Sequence, residues 1–298
     1  MQLGKLFHLT MLVDDWAGPE KFFNSVFAPM TIMRGYSDHW HRHAAVYIIG
    51  ETSIEPMHVL PPAHEGQAAT SWYRFMERFG PRIHNLAFYV DDVPALDKRF
   101  GEAGVRTTDG GSQGKTLFAH PKDTPGMVEF FDPADSFFEQ TDPRFTSDWK
   151  RFTTEYWTQR HPLGLVRMSH VTSLVHDVEA AAAFFVNVLG ASRLTDQTPT
   201  FDGTTTQFLL VGEDTVIELA KPLDTASALG RELATVGEGP MAVTFLVADR
   251  AKAWQHLQRA EGVTAPVETP RAIEFDRAAT WGVQFRFTDE RLAGDPRE

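Results

Sequence analysis

At 298 residues, with 42% hydrophobic and 23% charged residues, the chain has the balance of a folded globular protein and the length for two domains. A net charge of −12 and a pI near 5.4 disfavour broad electrostatic binding to nucleic acid or to an anionic membrane, so neither is expected as a partner, though a local basic pocket for a small anion is not disfavoured. The lack of cysteine excludes disulfides, thiolate metal sites and thiol nucleophiles. The opening MQLGKLFHLT has no signal-peptide core, and no apolar run approaches the ~18 residues of a membrane span, so a cytoplasmic protein is expected.

The first predicted element is the strand in Leu6 to Asp15, LFHLTMLVDD. Alternation puts His8, Thr10 and Leu12 on one face and Phe7, Leu9, Met11 and Val13 on the other. Asp14 and Asp15 suit a helix start, and Glu20 to Phe27 carries apolar residues at helical spacing. Thr31 to Tyr36 reads as a short strand, followed by Ala44 to Ile49 and Thr52 to Val59 joined by a tight Gly50-Glu51 turn, which completes a βαβββ unit. Pro61 to Ala69 is a loop and Ser71 to Phe79 a short helix. The plan then restarts: a strand Ile83 to Val90, a helix Pro94 to Ala103, and strands near Val105 to Thr108, Thr116 to His120 and Met127 to Phe131.

Residues 134–163, rich in aromatics and charges, read as a connector with one helix near Ser147 to Arg160, its Trp149, Tyr156 and Trp157 expected to pack domains together. Beyond it the first unit returns. His170 answers His8, Thr172 answers Thr10, Asp177 answers Asp15 and Phe184-Phe185 answers Phe22-Phe23, all at the one spacing that separates His8 from His170. A looser pair, PMAVTFLVAD against RIHNLAFYVDD, aligns Val247 with Val90. Further strands are expected at Thr206 to Val211, Thr215 to Leu219, Ala272 to Asp276 and Val283 to Phe287. The reading is α+β: a first domain over 1–133, a connector over 134–163 and a second domain over 164–298, each domain a pair of βαβββ modules curling a cupped, mixed sheet.

Two carboxylates stand at equivalent places on the last strand of each unit of the first domain, Glu55 in TSIEPM and Glu129 in GMVEFFDP. Both are flanked by apolar residues, where a carboxylate is costly to desolvate unless it meets a cation. With His8 they make one imidazole and two carboxylates, a set that suits a divalent ion such as Zn, Ni, Co, Mn or Fe.

Four βαβββ units, with His on a first strand and Glu in I-E or V-E on a last strand, resemble the vicinal oxygen chelate superfamily: glyoxalase I, methylmalonyl-CoA epimerase, extradiol dioxygenases and bleomycin-resistance proteins. The likeness covers nearly the whole chain outside the connector and is sharpest in GPRIHNLAFYVDD and LFAHPKDTPGMVEFF, which look like the epimerase's strand and HPK loop. The resemblance implies one divalent metal held at His8, Glu55, Asn85 and Glu129. Asn85 departs from the pattern: either it lies at the metal as a weak oxygen ligand or neighbouring donor, or a bulge turns His84 inward instead. The implied chemistry is proton abstraction next to a carbonyl of a small-molecule, oxygen-chelating substrate, isomerase or lyase, with Glu55 or Glu129 leaving the metal to act as base and His43 and His120 as candidates for proton relay. Two other classes stay open: a metal-free binding protein for a small aromatic compound, and an unorthodox iron-dependent dioxygenase. A homodimer is allowed.

In the second domain the equivalent places hold His170, Glu218, Ala242 and Arg286, a set that counts against a standard extradiol dioxygenase and leaves His170 and Glu218 as structural residues bonding each other or Arg286. His39, His41 and His43 in DHWHRH read as a pocket rim or exposed strand, and His120 and Lys122 as turn residues near the pocket mouth.

Overall fold

The computed structural model describes residues 1–64, 66–108, 114–133, 155–195, 200–201 and 203–297. In chain order the first half holds β1 (Leu3–Val13), α1 (Ala17–Phe27), β2 (Met30–Ser37), β3 (Arg42–Ile49), β4 (Thr52–Val59), α2 (Ser71–Phe79), β5 (Arg82–Val90), α3 (Val93–Glu102), β6 (Thr107–Thr108), β7 (Thr116–Ala119) and β8 (Met127–Phe131). After a π-helical turn at Tyr156–Arg160 come β9 (Leu165–Leu174), α4 (Val178–Asn187), β10 (Ser192–Arg193), β11 (Thr200–Phe201), β12 (Thr204–Val211), β13 (Thr215–Pro222), α5 (Ala228–Val236), β14 (Gly239–Val247), α6 (Arg250–Leu257), β15 (Val267–Glu268), β16 (Ile273–Glu274) and β17 (Gln284–Thr288). The helix expected over Ser147 to Arg160 is described only in its last turn; the rest, Trp149 included, lies outside the described residues.

The strands form two mixed sheets, in the orders β2-β3-β4-β1-β5-β8-β7-β6 and β10-β12-β13-β9-β14-β17-β16-β15, with β11 paired to β12. At each centre a first strand runs parallel to the last strand of its own unit and antiparallel to the first strand of the next: β1 between β4 and β5, β9 between β13 and β14. That pairing is what brings His-bearing and Glu-bearing strands side by side. Helix α5 was not foreseen; it occupies the place α2 has in the first half, and Thr70 and Ser227 cap the two helices alike by accepting from Tyr73 N and Gly230 N.

One face of each sheet packs into a single core shared by both halves. Phe22, Phe23 and Phe27 of α1, spaced for one helix face, bury against the second sheet: Phe22 meets Phe275 at 5.3 Å and Phe285 at 5.1 Å, and Phe27 meets Phe245 at 5.2 Å. Trp157 of the connector joins the same core, as its aromatic content suggested. Where the halves touch, backbone approaches backbone: Gly212, at φ +65°, would place a Cβ 2.1 Å from Gly4 O, and Gly282, at φ +74°, one 2.0 Å from Pro81 O, so neither position tolerates a side chain. Glu232 of α5 ties the halves by accepting from Arg82 at 2.7 Å and Arg277 at 2.8 Å.

The faces away from this core form the two cups, and strict alternation does not define them. Between Leu6 and His8 the β1–β5 register slips by a residue, and again between Thr10 and Met11 opposite His84. Each slip is a β-bulge, which sends two consecutive side chains to one face. Phe7 therefore leaves the core side predicted for it and joins Ala87, Tyr89 and Phe131 beside His8. The second sheet repeats both slips, between Met168 and His170 and between Pro240 and Ala242.

Candidate active site

Two rows of residues cross the first cup. His8 on β1 lies opposite Ala87 on β5, which lies opposite Glu129 on β8; Thr10 on β1 lies between Glu55 on β4 and Asn85 on β5. Because Ala87 has no side chain beyond Cβ, His8 reaches across it. His8 Nε2 stands 3.5 Å from Glu55 Oε2 and 3.7 Å from Glu129 Oε2, with all three residues buried. The strand register brings these three residues, expected as one set, side by side.

Both candidates at the third position enter the cup, because the bulge at His84 turns it to the same side as Asn85. His84 Nδ1 lies 2.7 Å from Asn85 Oδ1, and Asn85 Nδ2 donates to Glu129 Oε2 at 2.8 Å. Asn85 thus orients Glu129, and His84 orients Asn85. Burial holds the His84 imidazole below its ordinary pKa, against the pull of Asn85 and Glu55. Burial also pushes the Glu129 carboxyl up, and the neighbouring Glu55 adds to this, while His8 and Arg42 oppose it.

Two further residues hold Glu55, Thr10 from the face it shares with His8 and Arg42 from outside the candidate set. Thr10 donates to Glu55 Oε2 at 3.2 Å, and Arg42 reaches Glu55 Oε1 at 3.5 Å while its guanidinium lies 4.6 Å over the Trp72 ring of α2. Arg42 lies inside DHWHRH, and the alternation that separates it from His41 and His43 is the sequence signal for it. Beside His8, Phe7, Tyr89 and Phe131 form an apolar wall, Phe7 lying 4.8 Å from Tyr89 and 5.0 Å from Phe131 between ring centroids. Helix α2 covers the other end of the cup, with Trp72, Phe75 and Met76 against Leu12, Met57 and Val59.

The remaining candidates stand apart from this set. His43 pairs with His58 across β3 and β4, alternates with the cup-side Ala44, and stacks on Trp16 at 5.8 Å, which places it on the opposite face of the sheet from Glu55. His39 and His41 form the turn between β2 and β3 rather than a strand edge. His120 belongs to a turn: its Nδ1 accepts from Lys122 N at 3.1 Å, its carbonyl from Thr124 Oγ1 at 3.2 Å. Lys122 is exposed there.

One imidazole and two carboxylates are donor types that a divalent ion accepts. Two donors each ~2.1 Å from a tetrahedral ion stand about 3.4 Å apart, close to the 3.5 and 3.7 Å from His8 Nε2 to the two carboxylates. Among the described residues no group of three or more such side chains is arranged to hold an ion as it stands.

The second cup repeats the frame with other groups. His170 lies opposite Thr244, which lies opposite Arg286; Thr172 lies between Glu218 and Ala242. His170 Nε2 is 3.6 Å from Glu218 Oε2, which accepts from Thr172 at 2.6 Å, so the expected His170 and Glu218 pairing is present.

The family model of the Glyoxalase/Bleomycin resistance protein/Dioxygenase superfamily matches residues 167–290. Among solved structures, a variant of 4-hydroxymandelate synthase from Streptomyces coelicolor is similar at 16% identity and a TM-score of 0.63, covering 99% of this chain and 96% of that one. A hypothetical protein from Staphylococcus aureus is similar at 12% identity and a TM-score of 0.55, over 98% and 100% of the two chains. Both likenesses concern the fold alone. Methylmalonyl-CoA epimerase from Mycobacterium tuberculosis matches 44% of this chain and 87% of its own at 22% identity, with a TM-score of 0.35. No curated protein matches the sequence. Among the described residues no helix is long and apolar enough to cross a membrane.

Proposed function

We propose, from the match of residues 167–290 to the Glyoxalase/Bleomycin resistance protein/Dioxygenase superfamily and from the repeat of the same sheet plan in the first half, that the first cup is the active site of a divalent-metal-dependent enzyme. The reaction is proton abstraction next to a carbonyl of a small substrate with adjacent oxygens, of isomerase or lyase type. The observation that carries the reading is the approach of His8 Nε2 to two buried carboxylates on separate strands.

His8 Nε2, Glu55 Oε2 and Glu129 Oε2 would hold the ion, which when bound supplies Lewis-acid stabilisation of developing enolate charge. Glu129 is the base. Its Oε2 accepts from Asn85 and faces His8, which leaves Oε1 to take the proton. Asn85 keeps the carboxylate aimed, Arg42 fixes Glu55, and Phe7, Tyr89 and Phe131 offer an apolar surface for the body of the substrate.

Elemental analysis tests this. Protein grown with transition metals should carry close to one equivalent per chain and exchange the proton next to a carbonyl of bound hydroxyketones in deuterated water. One observation favours the metal-free binding protein instead: Asn85 and Arg42 already satisfy the two carboxylates. Metal content near zero, not restored by dialysis against Zn, Ni, Co, Mn or Fe, would establish that second reading.

A further inference from the structure

The second cup opens into a cavity of about 390 Å³, lined among others by His170, Phe208, Glu218, Thr244, Arg271 and Arg286. That is within the range of small-molecule sites, roughly 300–1,000 Å³. Two donors in it lack partners. Thr244 is 3% exposed and its hydroxyl has no hydrogen bond; Arg286 Nε is buried, stands 3.3 Å from Glu274 Oε1, and is not aligned to donate to it. Thr244 and Arg286 are register partners on β14 and β17, so their side chains rise from neighbouring strands on one face. Buried donors without acceptors are costly, and two that converge in a cavity describe the acceptor they lack.

We propose that this cavity is a metal-free binding site for a small organic monocarboxylate with an apolar body, its carboxylate seated on Arg286 Nε and Thr244 Oγ1. A guanidinium has no lone pair for a metal and is suited to a carboxylate. His170 adds no positive charge: burial first, then Arg286, pushes its pKa down to about 3. The charges around the cavity balance, with Arg271, Arg286 and Arg291 against Glu218, Glu274 and Glu290, and Arg271 is held by Glu290 at 3.0 and 2.8 Å. One carboxylate can be seated on Arg286 and Thr244, and a second negative charge would meet Glu218 and Glu274. Phe208, edge-on to His170 at 5.3 Å, and Leu292 supply the apolar wall.

The site is independent of any metal in the first domain. Calorimetric titration of the full chain with benzoate, benzamide and inorganic phosphate tests it. Benzoate should bind once per chain, benzamide about tenfold more weakly or less, and phosphate should not displace benzoate. Arg286→Met should weaken benzoate by about tenfold or more and Thr244→Val, which keeps the volume, by about threefold. Glu129→Ala should leave it unchanged. Should Arg286→Met not fold, Thr244→Val decides. The proposal is overturned by absence of saturable benzoate binding at millimolar concentration, by equal affinity for benzamide or phosphate, by full affinity in Thr244→Val, or by loss of binding in Glu129→Ala.

Discussion

Where the first domain sets His8, Glu55 and Glu129 around one point, the second sets His170, Glu218 and Arg286 at the same places, through the same strand pairings and the same two bulges. The frame is constant and one charge is reversed. The first cup thus turns two carboxylates towards one imidazole, with Arg42 on Glu55 alone, and the second turns one carboxylate and one guanidinium to the same places, with Glu274 beside Arg286. Ala87, between His8 and Glu129, leaves their side chains free to meet, whereas Thr244 stands between His170 and Arg286 and offers a hydroxyl of its own. The lesson is that a doubled fold separates scaffold from chemistry: what both halves share holds the sheet, and what differs sets the ligand.

The sharpest way to break this comparison is to remove its carboxylates one at a time. Glu129→Ala should lower cobalt affinity about 100-fold or more, and Glu218→Ala should leave it unchanged, read from cobalt's visible absorption. Equal losses would make the second cup a metal site. Reversing the charge tests the same contrast from the other side: Arg286→Glu should give the second domain a cobalt site that the wild type lacks, seen as a second equivalent in the same titration, and should abolish benzoate binding.

A smaller effect is expected from the residues that aim the ligands. Asn85→Ala frees Glu129 Oε2 of its only amide partner and should cost about tenfold in metal affinity, with His84→Ala, one bond further out, costing a few-fold. The reverse ranking would make His84 the ligand.

The two cups should also differ in acid. His170 has a folded pKa lowered from 6.5 to about 3, so the unfolded chain binds the extra proton between those values. Its contribution is thus intact above pH 6.5 and is lost as pH falls towards 3, at up to ~1.4 kcal/mol per pH unit. Urea unfolding of His170→Gln across that window should show a shallower slope than the wild type. Smallest of all, and equal in the two halves, should be the caps: Thr70→Ala and Ser227→Ala should each cost ~1 kcal/mol in urea unfolding, unequal costs meaning that α2 and α5 are not equivalent.

Much of this is legible in the sequence alone. The spacing from His8 to His170 gave the doubling, βαβββ periodicity gave most of the elements, and Glu55 and Glu129 stood out as carboxylates among apolar strand residues. Helix α5 was missed because ALGRELATV carries a weaker apolar stripe than SWYRFMERF, although it lies at the spacing that relates Val90 to Val247. His43 and His120 drew attention as chemistry-bearing residue types, and only packing showed one on the far face of the sheet and the other bonded within its own turn.

By itself, then, the sequence determined the order of elements and which strand carries each polar group, since periodicity and repeat spacing are properties of the chain alone. Tertiary structure decided which residues share a face at the site. A bulge is a mismatch between two strands, so nothing in β1 or β5 read singly shows that Phe7 joins His8, or that His84 enters the cup together with Asn85. It also decided that Arg42 meets Glu55 and that Arg286 and Thr244 converge, because those contacts join strands through hydrogen-bond register, which local pattern does not encode.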